Sequence, residues 1–374
     1  MIDKPKEVFI ISKPIVPPWN DSGKNIAKEL VTHGSRYRYR VLTTQDFAFP
    51  HMADNVGYER IYPSGGTYQA GIRQNLKVMW TGLRKKDARI YHYFFAPNRV
   101  SATAGRIQQT IARVKTVQTF SSRPADYSRI KDLIFTDKVI VLSEHTRQCL
   151  LDAGVDATRM VHIPPGITPP APLSDMERGE LERKYALGHK RMILFPGDFE
   201  FSDAAQQVAA AAPHILAASE DAVVVFACRA KTERSEAHRS RIKKELATFG
   251  DRVRFYDEIN DMSRFVGLAT QVILPQNDLY AKMDIPLVLL EAMAHRVPLI
   301  VADAGPLREL IAGDAALGST DATQLAEAAV RLLNTPEVGA ELGNGGRRLV
   351  DTRYNSLSMA KAIETLYDEL LENQ

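Results

Sequence analysis

A single acidic residue, Glu291, lies in a stretch of the chain that is otherwise apolar. Residues 286–294 are predicted to form a helix, and the apolar run at residues 297–303 is predicted to contain a buried strand. A carboxylate on the first turns of a helix that begins at the carboxyl end of a parallel strand can accept hydrogen bonds from a ligand hydroxyl. The alternative is a surface glutamate near a helix start, where the helix dipole favours a negative charge. The spacing alone leaves both interpretations open.

A second candidate is the loop at residues 17–24, between the first predicted strand and the first predicted helix. Gly23 allows the backbone to approach a ligand closely, and the N-terminus of the following helix favours an anion such as a phosphate. Ser22 precedes this glycine. The glycine spacing of a dinucleotide-binding fold or a P-loop is absent, so an ordinary turn is the alternative interpretation.

These residues are embedded in an alternation of strands and helices. Strands are predicted in the first half at residues 8–12, 40–44, 90–95, 115–120, 138–142 and 159–167. A second series is predicted at residues 192–195, 223–226, 253–255, 272–274 and 299–301. Such alternation predicts parallel sheets covered by helices on both faces. We therefore expect two doubly wound α/β domains, with ligands in a cleft at the carboxyl ends of both sheets.

The domain boundaries follow from length and from proline content. A chain of 374 residues suits two domains of about 150–200 residues each. The proline-rich segment at residues 164–172 is predicted to link them. The predicted organisation is an N-terminal domain at residues 1–170, a C-terminal domain at residues 171–355, and a final helix at residues 356–374.

The net charge of +3 conceals opposite charges in the two halves. Residues 1–170 contain 25 Lys and Arg against 14 Asp and Glu, whereas residues 171–374 contain 23 against 31. A basic N-terminal half suits an anionic acceptor, a membrane surface or a nucleic acid. No recognisable module for RNA or DNA binding is present, so nucleic acid is not expected as a partner.

One segment of the basic half, residues 72–86, is predicted to be an amphipathic helix. Ile72, Leu76, Met79 and Leu83 recur at helical spacing, and the other positions include several basic residues. Such a helix can lie on an anionic membrane. The alternative is a surface helix whose apolar stripe packs on the core of the domain.

Cysteine usage and hydropathy indicate the compartment. The two cysteines, Cys149 and Cys228, lie far apart in sequence, so a disulfide framework is not expected and a reducing compartment fits. No zinc-ligand spacing and no apolar run of signal or membrane-spanning length is present. We expect the protein in the cytoplasm or at the inner face of the membrane.

The stretch around Glu291 also resembles a known family. Residues 286–294 are Pro-Leu-Val-Leu-Leu-Glu-Ala-Met-Ala, and Val-Pro follows at residues 297–298. This resembles the loop-helix E-G-F-G-L-x-x-L-E-A-M-A and the G-x-P strand of family-4 retaining glycosyltransferases of the GT-B fold. The resemblance covers most of the chain and is strongest at residues 270–370. It implies donor binding in the C-terminal domain and binding of an anionic or lipid-linked acceptor in the N-terminal domain, on which the helix at residues 356–374 packs back. It also implies retaining transfer from a UDP- or GDP-sugar without a metal ion or cofactor.

The resemblance assigns the nucleotide ribose to Glu291 and places Leu287 at the start of the binding helix. The first glutamate of the family motif falls on Met283, which cannot accept a hydrogen bond from a sugar. Asp284 and Lys282, on either side of it, are the candidate replacements. In the loop near residue 23, the family has a Gly-Gly pair where this chain has Ser22 and Gly23.

A second departure concerns the diphosphate. Family members have an Arg and a Lys after the first strand of the second domain, whereas here Gly197 is followed by acidic residues. Each acid would repel a diphosphate by roughly 1 kcal/mol at short range. The candidate substitutes are Arg229 and Lys231, after the next strand, together with Lys282.

A third departure concerns a histidine that the family often has after an N-domain strand, where this chain has serines. His92, on another N-domain strand, is the candidate catalytic residue that would line the cleft. A lone histidine among aromatic residues is more often a packing residue, which is the alternative. The backbone from Tyr256 to Ile259, including Glu258, is predicted to read the base.

Together the departures leave other functions open. A diverged GT-B protein could bind a sugar nucleotide without transferring the sugar. A nucleotide-sugar epimerase of the same fold is a further alternative.

Overall fold

The chain folds into two compact units. The computed structural model describes residues 6–19, 21–46, 52–64, 72–84, 87–96, 98–230 and 232–372. The N-terminal unit comprises Met1–Thr168, Tyr280–Asp284 and Tyr354–Gln374, and the C-terminal unit comprises Pro169–Leu279 and Ile285–Arg353. The N-terminal unit therefore includes a five-residue segment from the middle of the C-terminal sequence.

The regular elements within the described residues alternate along the chain. The strands are β1 (Glu7–Ile11), β2 (Arg38–Thr44), β3 (Val56–Tyr62), β4 (Ala88–Phe94), β5 (Lys115–Thr119), β6 (Lys138–Val141), β7 (Met160–His162), β8 (Arg191–Phe195), β9 (Ala222–Ala227), β10 (Val253–Tyr256), β11 (Gln271–Leu274), β12 (Leu299–Ala302) and β13 (Ala316–Ser319). The α-helices are α1 (Ser22–His33), α2 (Ile72–Arg84), α3 (Arg99–Ala112), α4 (Ile130–Leu133), α5 (Glu144–Asp152), α6 (Asp175–Lys184), α7 (Ala204–Ala218), α8 (Glu233–Glu245), α9 (Met262–Val266), α10 (Leu287–Ala294), α11 (Arg308–Ala312), α12 (Ala322–Asn334), α13 (Pro336–Thr352) and α14 (Ser356–Glu372).

The N-terminal unit is built on a parallel sheet of seven strands in the order β3-β2-β1-β4-β5-β6-β7. Every residue of β1 is buried, as expected for a central strand covered by helices on both faces. The strand order reverses between β1 and β4, and the loops after these two strands lie at the switch point of the sheet. α14 packs on α1, and the hydroxyl of Tyr39 donates a hydrogen bond to Glu364 of α14.

The C-terminal unit is built on a parallel sheet of six strands in the order β10-β9-β8-β11-β12-β13. Here the order reverses between β8 and β11. The loops that follow these two strands, together with those after β9 and β10, therefore meet at one edge of the sheet.

The two doubly wound α/β sheets confirm the fold class predicted from the alternation. The edge strands β3 and β13 were not predicted. β3 has the charged pair Glu59 and Arg60 in its middle, and β13 has only four residues including Gly318, so neither contains the continuous apolar run of a central strand. Among the described residues, no helix combines the length and the apolar character needed to cross a bilayer.

Candidate functional site

The loop after β1 and the start of α1 lie at the switch point of the N-terminal sheet. A Cβ atom on Gly23 would lie 2.7 Å from Oγ of Ser121 and 3.2 Å from the carbonyl oxygen of Phe94. Packing of α1 against the ends of the neighbouring strands is therefore enough to require a glycine here. Asp21 caps the helix by accepting a hydrogen bond from the backbone N–H of Lys24. A carboxylate already occupies this helix terminus, which disfavours a phosphate at Ser22 and Gly23.

Lys24 shapes this loop in a way that the sequence did not indicate. Its Nζ donates hydrogen bonds of 2.7 Å to the carbonyl oxygens of Val16 and Pro18. Burial lowers the pKa of this lysine. The Trp19 ring lies beside it, 5.5 Å from Nζ of Lys24 and 5.1 Å from Nζ of Lys28. One buried cation thus ties the loop to the helix that follows it.

His92 lies in the core of the N-terminal unit. The side chain is fully buried in β4, and its two ring nitrogens are hydrogen-bonded to Tyr367 of α14 and Thr119 of β5. Burial lowers the pKa of His92 to about 3, so the ring is neutral. The catalytic interpretation of His92 is corrected on this ground: the ring offers no exposed atom to a substrate, and the packing alternative describes it.

Asp284 is also buried, in a pocket of hydroxyl groups. It is 3% exposed and accepts hydrogen bonds from Oγ of Ser143 at 2.6 Å and from Oγ1 of Thr146 at 2.9 Å. Nε of Arg123 lies 4.0 Å from its carboxylate. Burial raises the pKa of Asp284, and the two hydroxyls and Arg123 oppose that shift. Both carboxylate oxygens are engaged inside the N-terminal unit, so the structure places Asp284 as an anchor rather than as a residue facing a substrate.

The pocket of Asp284 is built at the N-terminus of α5. Ser143 caps this helix by accepting a hydrogen bond from the backbone N–H of Thr146. The positive end of the helix dipole and two hydroxyl donors therefore converge on one carboxylate. No local pattern indicates this contact, because 141 residues separate Ser143 from Asp284.

Backbone hydrogen bonds fix the rest of the Tyr280–Asp284 segment. The N–H of Arg123 donates to the carbonyl oxygen of Lys282 at 2.9 Å, and the N–H of Ala281 donates to the carbonyl oxygen of Arg123 at 3.0 Å. Met283 is buried and Lys282 is half-buried. Met283 therefore occupies a buried position, which an apolar side chain such as methionine fits.

In the C-terminal unit, the acidic residues after β8 fold their own loop. Oδ1 of Asp198 accepts hydrogen bonds from the backbone N–H groups of Glu200 at 2.9 Å and Phe201 at 2.8 Å. Oε2 of Glu200 accepts a hydrogen bond from Oγ1 of Thr232 at 2.6 Å. A Cβ on Gly197 would lie 2.2 Å from the Phe195 ring, so the close turn requires a glycine. The acids thus have structural roles of their own.

Gln276, after β11, is a site residue that sequence reasoning missed. It is buried, and its Nε2 donates hydrogen bonds to the carbonyl oxygen of Asp278 at 2.9 Å and to Oδ2 of Asp198 at 3.4 Å. It therefore joins the loops after β8 and β11 across the switch point. Its Oε1 is buried without a hydrogen-bond partner among the described residues. A polar residue two positions after a buried strand was the available signal.

Glu291 is the fifth residue of α10, the helix between β11 and β12. Its neighbours Leu290 and Ala292 are buried, whereas Glu291 is half-buried. Leu287 is the first residue of the helix and is also half-buried. Glu291 therefore lies on the partly accessible side of this helix, as do Leu287 and Val288. The other residues of the helix are buried.

The remaining candidates follow β9 and β10 at the same edge. Arg229 is half-buried two residues beyond the end of β9, while Glu258 is exposed and Ile259 half-buried beyond the end of β10. Lys231 lies outside the described residues. The carboxyl edge of the second sheet thus gathers Arg229, Glu258, Ile259, Gln276 and the start of α10. Lys282 and Asp284 belong instead to the N-terminal unit.

Two further features bear on the site. Among the described residues, no group of three or more His, Cys, Asp or Glu side chains is arranged to hold a metal ion. A cavity of about 290 Å³ in the C-terminal unit is lined by Arg191, Thr270 and Pro298, close to the amino ends of β8, β11 and β12. It lies at the opposite edge of the sheet from the candidate residues.

Comparison with known proteins gives a family match within the C-terminal half of the sequence and a structural match to the whole fold. Residues 190–335 match the family described as glycosyl transferases group 1. None of the curated protein sequences matches the chain significantly.

Solved structures match over nearly the whole chain. The sucrose-phosphate synthase of Thermosynechococcus elongatus has a TM-score of 0.75 at 20% identity, covering 99% of this chain and 100% of that one. A glycosyltransferase from Rickettsia africae ESF-5 has a TM-score of 0.75 at 15% identity, with coverage of 99% and 100%. Anabaena HepE in complex with UDP and glucose has a TM-score of 0.74 at 16% identity, with coverage of 97% and 99%. At these identities the likeness shows the fold alone.

Proposed function

The chain has the GT-B fold and its residues 190–335 match the glycosyl transferases group 1 family, and from this premise we propose that it transfers a sugar from a sugar nucleotide to an acceptor. The observation that carries the proposal is the position of Glu291. It is a half-buried carboxylate on an otherwise apolar helix, at the carboxyl edge of the sheet and inside the matched region. Ligands of open α/β sheets bind at this edge.

In this proposal the C-terminal unit holds the nucleotide. Glu291 accepts hydrogen bonds from the ribose hydroxyls, and the backbone around Glu258 and Ile259 reads the base. Arg229 provides a positive charge for the diphosphate. The solved relative in complex with UDP and glucose supports a uridine nucleotide as the first donor to test.

The protein contribution to the reaction is electrostatic. Charge develops on the leaving diphosphate, and donors fixed in place before the reaction stabilise it without reorganisation. The N-terminus of α10 and Arg229, both in the C-terminal unit, are the groups proposed to supply this positive field. We further propose that transfer proceeds with retention and needs no metal ion, because helix termini and basic side chains can supply the positive field.

Glu291→Ala is expected to weaken binding of the cognate nucleotide about 10- to 100-fold, because a hydrogen bond to a charged group contributes about 1.5–3 kcal/mol. The measurement is a thermal-shift titration of wild type and variant against UDP, GDP, ADP and their sugar derivatives. Binding to the native state stabilises it by RT ln(1 + L/Kd), where L is the free nucleotide concentration, so at concentrations near the wild-type Kd the shift in Tm should be largely lost in the variant.

The matched control is Glu327→Ala, which removes an exposed glutamate from α12 in the same unit. This variant should keep the full nucleotide shift. Equal shifts in the two variants would show that Glu291 does not contact the nucleotide. No shift of the wild type with any nucleotide would overturn the donor class.

Retention and metal independence are tested in one experiment on the wild type. Slow hydrolysis of UDP-glucose is followed by NMR in the presence of EDTA and, separately, of Mg²⁺. We expect α-glucose to appear first and the rate to be the same in both samples. Initial release of the β anomer would mean inversion, and a rate restored only by Mg²⁺ would mean that a metal takes part.

A second candidate function, binding without transfer, is favoured by two observations. Met283, which the resemblance aligns with the first family glutamate, is buried, and Asp198 and Glu200 occupy the loop in which the resemblance places a basic pair. A binding protein would show the nucleotide shift but release no UDP and no glucose. An epimerase would convert one sugar nucleotide into another while the nucleotide stays attached, which the same NMR spectra would reveal.

A further inference from the structure

The positive charge of the N-terminal half is concentrated in one segment. Residues 60–125 contain 12 Lys and Arg and a single acid, Asp87. The rest of residues 1–170 is balanced, with 13 basic and 13 acidic residues. The segment includes α2 and α3, neither of which contains an acidic residue.

These two helices pack on one another and share a buried side. A Cβ on Gly82 of α2 would lie 2.4 Å from Nε2 of Gln108 of α3, and both residues are buried together with Val78. The sequence placed Leu76 in the apolar stripe of α2 and left open whether that stripe faces a membrane or the core of the domain. In the structure Leu76 is 53% exposed, and Val78 is buried.

The outer faces of α2 and α3 are apolar as well as basic. The large apolar side chains exposed there are Leu76 (53%), Trp80 (58%), Val100 (65%), Ile107 (48%) and Ile111 (61%). They are five of the ten exposed large apolar residues in the described part of the chain, on helices of only 13 and 14 residues. Their spacings of four, seven and four residues place them along one face of each helix. Singly scattered residues are ordinary on a protein surface, but such a concentration marks an interaction site.

Basic residues alternate with these apolar residues along both helices. They are Arg73, Lys77 and Arg84 on α2, and Arg99 and Arg106 on α3. The guanidinium of Arg84 lies 5.4 Å from the Trp80 ring, so apolar and cationic groups are neighbours. The surface helices α6 and α8 of the C-terminal unit differ, because both mix acids with bases and have low apolar content. An ordinary charged helix face would resemble those two.

We propose that the outer face formed by α2 and α3 docks on an anionic lipid bilayer. Aliphatic side chains and one tryptophan can enter the interfacial layer, where tryptophan is favoured, while the surrounding arginines and lysines meet the anionic headgroups. Val100, Ile107 and Ile111 fit a lipid better than RNA, which calls for aromatic stacking platforms. The proposal is independent of the proposed function, because docking needs neither a nucleotide nor an acceptor.

The test is co-sedimentation of the full-length protein with vesicles of phosphatidylcholine alone or mixed equally with phosphatidylglycerol. We expect binding to the anionic vesicles only. The variant Arg73→Glu/Arg99→Glu should weaken that binding at least about tenfold, because each basic residue near the surface adds to the attraction. The matched control, Arg234→Glu/Lys244→Glu, makes the same charge change on α8 and should bind like the wild type.

Fluorescence distinguishes insertion of this face from charge attraction alone. The chain has two tryptophans, so Trp19→Phe leaves Trp80 as the only indole. Its emission should shift to the blue on anionic vesicles, and Leu76→Ser/Ile111→Ser should weaken binding while Leu357→Ser, on α14, does not.

Three results would overturn the proposal. They are equal binding to both kinds of vesicle, equal loss of binding in the α2/α3 and α8 charge variants, and a Trp80 spectrum unchanged by the vesicles. A fourth result comes from adding RNA to the vesicle-bound protein and then digesting the RNA with RNase. If RNA displaces the vesicles and vesicle binding does not return after the digestion, a lipid partner would be contradicted.

Discussion

Replacing Gly343 by alanine is expected to destabilise the C-terminal unit by about 2–3 kcal/mol, the cost of overpacking a close contact. Gly343 lies inside α13, where the same change ordinarily stabilises a helix by about 0.5–1 kcal/mol. The added Cβ would lie 2.1 Å from the carbonyl oxygen of Arg296, a backbone atom just beyond the end of α10. A backbone atom cannot move aside as a flexible side chain can, so α13 and α10 must separate.

The matched control lies in the same helix. A Cβ on Gly339 would have only Cγ of Pro298 nearby, at 3.6 Å, which is an ordinary contact. Gly339→Ala should therefore raise Tm slightly, whereas Gly343→Ala should lower it by roughly 4–12 °C for a unit of this size. Calorimetry of the two variants measures the difference. Two variants with equal Tm would show that α13 does not approach Arg296 closely.

The packing of α13 also bears on the proposed donor site. α10 carries Glu291, and a Cβ on Gly346 of α13 would lie 2.9 Å from Cγ of Met293 on α10. Glycines on α13 thus allow the close approach that sets the position of α10. We expect Gly343→Ala to reduce the nucleotide-dependent thermal shift as well as the basal Tm, and Gly339→Ala to reduce neither.

Asp284→Ala is expected to have the second large effect, a loss of about 2–4 kcal/mol in the stability of the N-terminal unit. The change removes the acceptor for the hydroxyls of Ser143 and Thr146, and leaves the nearby Arg123 without its carboxylate. Leaving buried polar or charged partners unpaired carries a cost of this order. Thermal melting at pH 7 measures it, and a Tm within 1 °C of wild type would contradict the buried anchor.

Asp284→Asn separates the hydrogen bonds from the charge. The amide keeps an acceptor for one hydroxyl and offers a donor to the other, so this variant should retain most of the stability. Thr146→Val, which removes one hydroxyl donor at similar volume, should cost about 1.5–3 kcal/mol in the wild-type background and less in the Asn background.

The same pair of proteins gives a pH signature. Burial raises the pKa of Asp284 above that of an unfolded aspartate, so the folded state binds this proton more tightly. The contribution of Asp284 to stability is therefore greatest below the unfolded pKa, and it falls as the pH rises from there toward the folded pKa. Asp284→Asn lacks this dependence. Its free energy of unfolding relative to wild type should therefore increase as the pH rises from the unfolded pKa of Asp284 to the folded pKa. A constant difference would mean that the folded pKa is not raised.

The pattern of residues along the chain was sufficient for the fold class. Continuous apolar runs such as residues 223–226 predicted central strands, and their alternation with helices predicted two doubly wound sheets. The N-cap of α5 is Ser143, a residue type that is favoured at helix N-caps. These features are local, because strand burial and helix capping depend on residues only a few positions apart.

Contacts between distant residues could be decided only by the tertiary structure. The pattern did not show that His92 would be enclosed between Tyr367 and Thr119, or that Asp284 would meet Ser143. It also could not show which side of α2 would be buried, because both Val78 and Leu76 belong to plausible apolar stripes. The physical reason is the same in each case: the packing of one element on another selects the partners, and a periodicity that each element carries alone does not encode them.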